Sequence, residues 1–199
     1  MPEIEIGRLL RSNTSVCVVG CRVSQAQLPA FGSLVRIPLE NNYQIFGLIY
    51  NVSIADDGLV RQLVTSERVD EEVLADNRMN RNVPVEFSVL HAGYEQDGRI
   101  WHLLPPRPPL SLDAIFACND GEVARFSGEG RFGYFRHVLR AADVAVGELL
   151  AAHIRQAQAA QATHGREDWG QAAVQELITL LRDDYPQLMS VLGALADIV

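Results

Sequence analysis

The hydrophobic period of this chain changes once, near Phe126, and that change limits what the chain can fold into. Ahead of it, apolar residues alternate at period two in short runs; beyond it they recur at helical spacing. Ile4 and Ile6 alternate with Glu5 and Gly7, and further runs at 15–22, 34–39, 43–54, 85–90, 99–104 and 114–118 read as strands. Polar or Gly/Pro breaks separate them, as in a small antiparallel barrel or sandwich. Gly47 inside its strand fits a bulge or sharp bend. Asp97-Gly98 between two apolar runs is a hairpin signal. Residues 56–82 are more charged and predict one or two short inserted helices. Four prolines within 105–109 exclude a central strand there. That stretch reads as a rigid crossover on the barrel surface or, taken alone, as a PxxP ligand.

Three helices are expected after the switch. The first spans 137–163, with Leu139, Ala142, Val146, Leu149 and Ile154 on one face and Gly165 as its stop. Asp168 is placed to cap the second, whose apolar positions are Val174, Leu177, Ile178 and Leu181. Pro186 suits the first turn of the third. The predicted class is therefore α+β, with a small N-terminal barrel over 1–124 and a helical region over 125–199.

All 17 basic residues are arginine. Without lysine there is no P-loop and no Schiff-base chemistry. The net charge of −8 argues against a general nucleic-acid binder, which needs a basic face. Three sparse cysteines and an acidic start without an apolar leader predict a reducing, cytoplasmic setting. No apolar run approaches the roughly 18 to 20 residues of a membrane span.

No constellation points to catalysis, a metal or a cofactor. Cys17 and Cys21, four apart in a strand, would stand about 13 Å apart on one face, too far to share a metal. Cys118 reads as a buried core thiol. The five histidines form no HxxxH or HExxH motif, and His91 with His102 across a hairpin would need further ligands. There is no GxSxG elbow. The acid pairs Asp56-Asp57, Glu71-Glu72 and Asp183-Asp184 read as solvated surface or caps.

Several stretches in the first part of the chain resemble the HAS barrel, the small barrel of HerA-type translocases and of rotary ATP synthase catalytic subunits. They are the opening strand Ile4 to Leu10; the run Phe31 to Ile37 followed by Ile45 to Ile49; and Val83 to Leu90 followed by Leu104 to Pro109. The likeness spans about residues 3–124. It implies ring assembly and docking to partners such as a HerA-like ATPase or a NurA-type nuclease. The P-loop domain that follows the barrel in HerA has no counterpart here, so ATP hydrolysis does not carry over.

The most unusual segment is Arg125 to Arg140, RFSGEGRFGYFRHVLR, with four arginines, four aromatics and three glycines. Arginine beside aromatics stacks on bases and neutralises phosphates. It equally marks a protein interface, and the aromatics also suit closure of the barrel end. The last helix is apolar around most of its circumference, fitting either an internal core or a self-association face. The leading expectation is a non-enzymatic assembly or adaptor protein that forms a homo-oligomer and binds a protein partner. Its interface residues would be Arg131, Phe132, Tyr134, Phe135 and Arg136 at the junction and Leu188, Leu192 and Leu195 on the last helix. The alternative is a single-stranded nucleic-acid-binding barrel using 125–140.

Overall fold

A computed structural model of the chain describes residues 4–23, 30–54, 65 and 83–196. The insertion expected near 56–82 lies, Thr65 apart, outside the described residues. The described residues form seven strands: β1 (Glu5–Ser12), β2 (Val16–Val23), β3 (Leu34–Leu39), β4 (Tyr43–Ile54), β5 (Val83–Gln96), β6 (Arg99–Trp101) and β7 (Ala114–Ala117). They neighbour one another in the order β2-β1-β7-β3-β4-β5, and β2 pairs back onto β5. Six antiparallel strands therefore close a barrel, while β6 extends β5 as a hairpin outside the closure.

Alternation along each strand produces two cores. Leu9, Val19, Ile37, Ile45, Phe87, Val89 and Ile115 fill the barrel interior. Their neighbours Leu34, Phe46, Leu48, Leu90 and Ala92 point outward and are covered by the helices. The bulge expected at Gly47 is present, as a register shift between Phe46 and Gly47. A Cβ at Gly47 would stand 2.4 Å from Val89 Cγ1, so the strands can approach only at glycine. The proline-rich stretch docks along β1: Ser12 Oγ donates to the Pro109 carbonyl, and Leu112 N–H donates to the Leu9 carbonyl at 2.8 Å.

The described residues contain five α-helices: α1 (Asp120–Gly128), α2 (Phe135–Leu139), α3 (Val146–Thr163), α4 (Trp169–Leu180) and α5 (Tyr185–Leu195). The expectation of three is corrected in two places. The helical region starts earlier, at α1, because Asn119 and Glu122 form a reciprocal capping box. The helix expected over 137–163 is two helices, since the chain turns at 140–145, where Asp143 takes a φ of 58°. Gly165, with φ 78°, follows α3 as expected. Asp168 stands at the start of α4 but makes no side-chain cap, whereas Asp184 caps α5 by accepting from Gln187 N–H. Arg36, on the outer face of β3, ties barrel to helices through an ion pair with Glu122 at 2.7 Å.

Candidate functional site

The segment 125–140 forms the end of α1, one tight turn at Gly130–Phe132, and α2. Gly130, Arg131 and Phe132 all have positive φ, at 60°, 48° and 58°. Each such non-glycine residue costs on the order of 1 kcal/mol. The turn clamps onto His102: a Cβ at Gly130 would stand 2.6 Å from His102 Nδ1. Reversing the chain so sharply sends the aromatics of the segment inward. Phe126 packs on Phe46 with ring centres 4.8 Å apart and on Tyr134 at 5.1 Å. Phe132 stacks on Phe135 and meets Trp169, both at 5.3 Å.

This placement corrects part of the expected interface. Tyr134 and Phe135 are 0% exposed and sit in the layer between barrel and helices, so they are not surface anchors. Phe132 is half-buried against the same layer. On α5, Leu195 is buried and Leu188 and Leu192 pack on the helical core, while Tyr185 and Met189 face outward. The aromatic content of 125–140 belongs to the fold.

The arginines turn the other way. Arg131 and Arg140 are exposed. Arg125 makes a two-pronged ion pair with Glu95 of β5, at 2.7 and 2.5 Å. This bond holds the Glu95 carboxyl below its ordinary range and raises Arg125. Arg136 donates to the His102 carbonyl, which also lies 3.2 Å from His137 Nε2. Burial lowers both His102 and His137, with the neighbouring Arg136 acting in the same direction.

Between these groups lies an open cleft of about 560 Å³. Residues 98–103 form one wall; Arg125, Glu129, Gly130, Gly133 and Arg136 form the other. The β6 residue Arg99 holds its guanidinium 3.9 Å from the centre of the Trp101 ring. Three arginines thus line the cleft with one carboxylate, Glu129, and Glu95 stands behind Arg125 as its ion-pair partner, leaving an excess of positive charge. In a chain of net charge −8 this is a local reversal of sign, suited to gripping carboxylates or other anions. A smaller cleft of about 220 Å³ lies on the far side of the turn, beside Arg131, Phe132 and Trp169.

Among the described residues, no three His, Cys, Asp or Glu side chains stand together as a metal site. His91 bonds the Thr14 carbonyl and His102 the Phe126 carbonyl, so the two do not converge. No described helix is long and apolar enough to cross a membrane. Neither a protein-family model nor a curated protein sequence matches the chain.

Of the cleft residues, sequence reasoning named Arg136 and, within the segment 125–140, Arg125, and missed Arg99 and Trp101. The hairpin signal at Asp97-Gly98 was the usable clue. It places Arg99 and Trp101 on one face of a short strand, since residues two apart share a face.

Proposed function

We propose that this protein is a non-catalytic assembly or adaptor protein that docks a protein partner at the arginine-lined cleft beside the β5–β6 hairpin. The observation that carries this reading is the sorting of 125–140: its aromatics serve the shared core, and its arginines line or flank an open cleft. The barrel acts as the rigid support. Fusion of barrel and helices through one packed layer fixes the cleft walls, which keeps the site preorganised for a partner. The likeness to the HAS barrel supports a HerA-like ATPase or its associated nuclease as the partner class, and self-association as the accompanying property.

A second reading is favoured by one contact. Arg99 over Trp101 is the pairing on which a nucleic-acid base stacks, so a single strand threading the cleft is the competing function.

The test is light scattering of the purified protein, alone and mixed with a HerA-type ATPase, at low and high salt. The expected result is a defined complex that Arg99→Glu abolishes while the protein's own folding is unchanged. A complex insensitive to Arg99→Glu would remove the cleft from the interface. Binding of oligothymidylate in place of the protein, weakening steeply with salt, would select the second reading.

A further inference from the structure

The wall of the cleft formed by residues 98–103 is a sheet edge. Among the described strands, β6 is the last in the sheet order and pairs with β5 alone. The turn joining them has two residues, Asp97 and Gly98, with φ of 50° and 82°. Such a turn makes its flanking residues, Gln96 and Arg99, a hydrogen-bonded pair. The next pair, Glu95 and Ile100, then directs its backbone groups away from each other. The N–H and C=O of Ile100 therefore face out of the sheet, toward the cleft. One step further, the His102 carbonyl is taken by Arg136 and His137. That stops the edge from extending and fixes its usable length.

The two faces of this edge differ. Ile100 and His102 look toward the helices, where Arg125 and Arg136 stand on the opposite wall. Arg99 and Trp101 look away from them as a stacked pair. An extended segment lying along the edge would alternate in the same way. One set of its side chains would meet Arg125 and Arg136; the other would lie on Trp101.

We infer that the cleft recognises an extended acidic segment of a partner protein, which adds as a strand to the free edge of β6 and places alternate carboxylates against Arg125 and Arg136. This inference rests on the adaptor reading and names the chemistry of the partner at the same site. Charge complementarity selects the occupant: Arg99, Arg125 and Arg136 line the cleft, and against Glu129 and the Glu95 bonded to Arg125 they leave an excess of positive charge. Main-chain pairing at Ile100 supplies the register, and the arginines supply the preference for acid. A single strand of nucleic acid would use the arginines but not the Ile100 N–H.

The experiment titrates the full-length protein with a short synthetic peptide alternating glutamate and threonine, following Trp101 fluorescence and the backbone amide resonance of Ile100. Three comparison ligands and two variants accompany it: the same peptide N-methylated on the residues that would pair, a lysine–threonine peptide, oligothymidylate, and the Arg99→Glu and Ile100→Pro proteins. The expected result is saturable binding that shifts the Ile100 amide and weakens by about tenfold or more on N-methylation and in both variants. Ile100→Pro removes only an outward N–H, but its side chain packs on the core, so its fold is checked by cooperative melting. The N-methylated peptide needs no variant. Equal binding of the N-methylated peptide would overturn strand addition while leaving acidic docking intact. Equal binding of the lysine–threonine peptide would overturn the charge preference. Failure of every peptide, with the ATPase complex still forming, would sink this inference and spare the adaptor reading. Tight binding of oligothymidylate with quenching of Trp101, and none of the peptide, would overturn both.

Discussion

The Tyr134 hydroxyl lies 2.9 Å from His153 Nε2, and both side chains are fully buried where the barrel meets the helices. Burial keeps the phenol protonated and pushes the imidazole down to about 4, against a raising backbone hydrogen bond to Gly32. With the ring neutral, the tyrosine donates and the histidine accepts. His91, also 0% exposed and likewise lowered to about 4 by burial, is held by the Thr14 carbonyl at 3.1 Å.

These two histidines make the fold acid-sensitive. At pH 7 they are neutral whether the chain is folded or unfolded. Below about 6.5 the unfolded chain binds protons that the folded chain refuses until about 4. Stability therefore falls as pH drops through that window, by roughly 3 kcal/mol for each histidine. Urea titrations at pH 7 and 4.5 check this, and His153→Gln should remove about half of the difference, leaving the share of His91. An unchanged slope in that variant would remove His153 as a source.

Phe135→Ala should be severely destabilising and Arg131→Ala should not. Phe135 is 0% exposed and touches Phe132 and Tyr134, so truncation leaves a cavity costing about 3–5 kcal/mol. Arg131 is exposed, and its loss should move stability by less than about 0.5 kcal/mol. Thermal melting distinguishes them. Partner binding lost in Phe135→Ala would then report unfolding, not an interface contact.

Gly47→Ala should loosen the barrel. Its Cβ would meet Val89 Cγ1 at 2.4 Å and the Leu90 carbonyl oxygen at 2.8 Å, inside the β4–β5 pairing. Forcing these strands apart costs about 1–3 kcal/mol. Amide exchange in β4 and β5 should accelerate more than in α3.

Glu95→Gln should cost about 1 kcal/mol, a modest figure because the Arg125 side chain is 43% exposed and water screens the pair. Glu95 is lowered by its bond to Arg125, so its contribution is present above the ordinary glutamate range and disappears as pH falls through its folded value. That loss begins where the histidine effect is nearly complete. Comparing wild type and Glu95→Gln below pH 4.5 separates the two.

The strands were largely legible because barrel residues alternate cleanly. Leu34 to Leu39, Tyr43 to Ile54 and the Asp97-Gly98 hairpin all fall where period two and turn chemistry place them. The start of the helical region was less legible. Its signal was present as Asn119 with Glu122 three residues on, but Gly121 and the preceding apolar strand masked it. The break between α2 and α3 has no proline or glycine to mark it. It follows from packing, since Val138 and Leu149 must both reach the same core.

By itself the sequence determined a barrel followed by helices, because hydrophobic period fixes which face of each element avoids water. It also determined that arginine and aromatic residues crowd one segment. Only the tertiary structure decided which way that segment faces. Three consecutive positive-φ residues, clamped on His102, turn Phe126, Tyr134 and Phe135 into the core and leave the arginines at a cleft with Arg99 and Trp101. Period and composition are local properties, whereas the inward or outward choice depends on a histidine nearly thirty residues away in the chain, at His102 against Gly130.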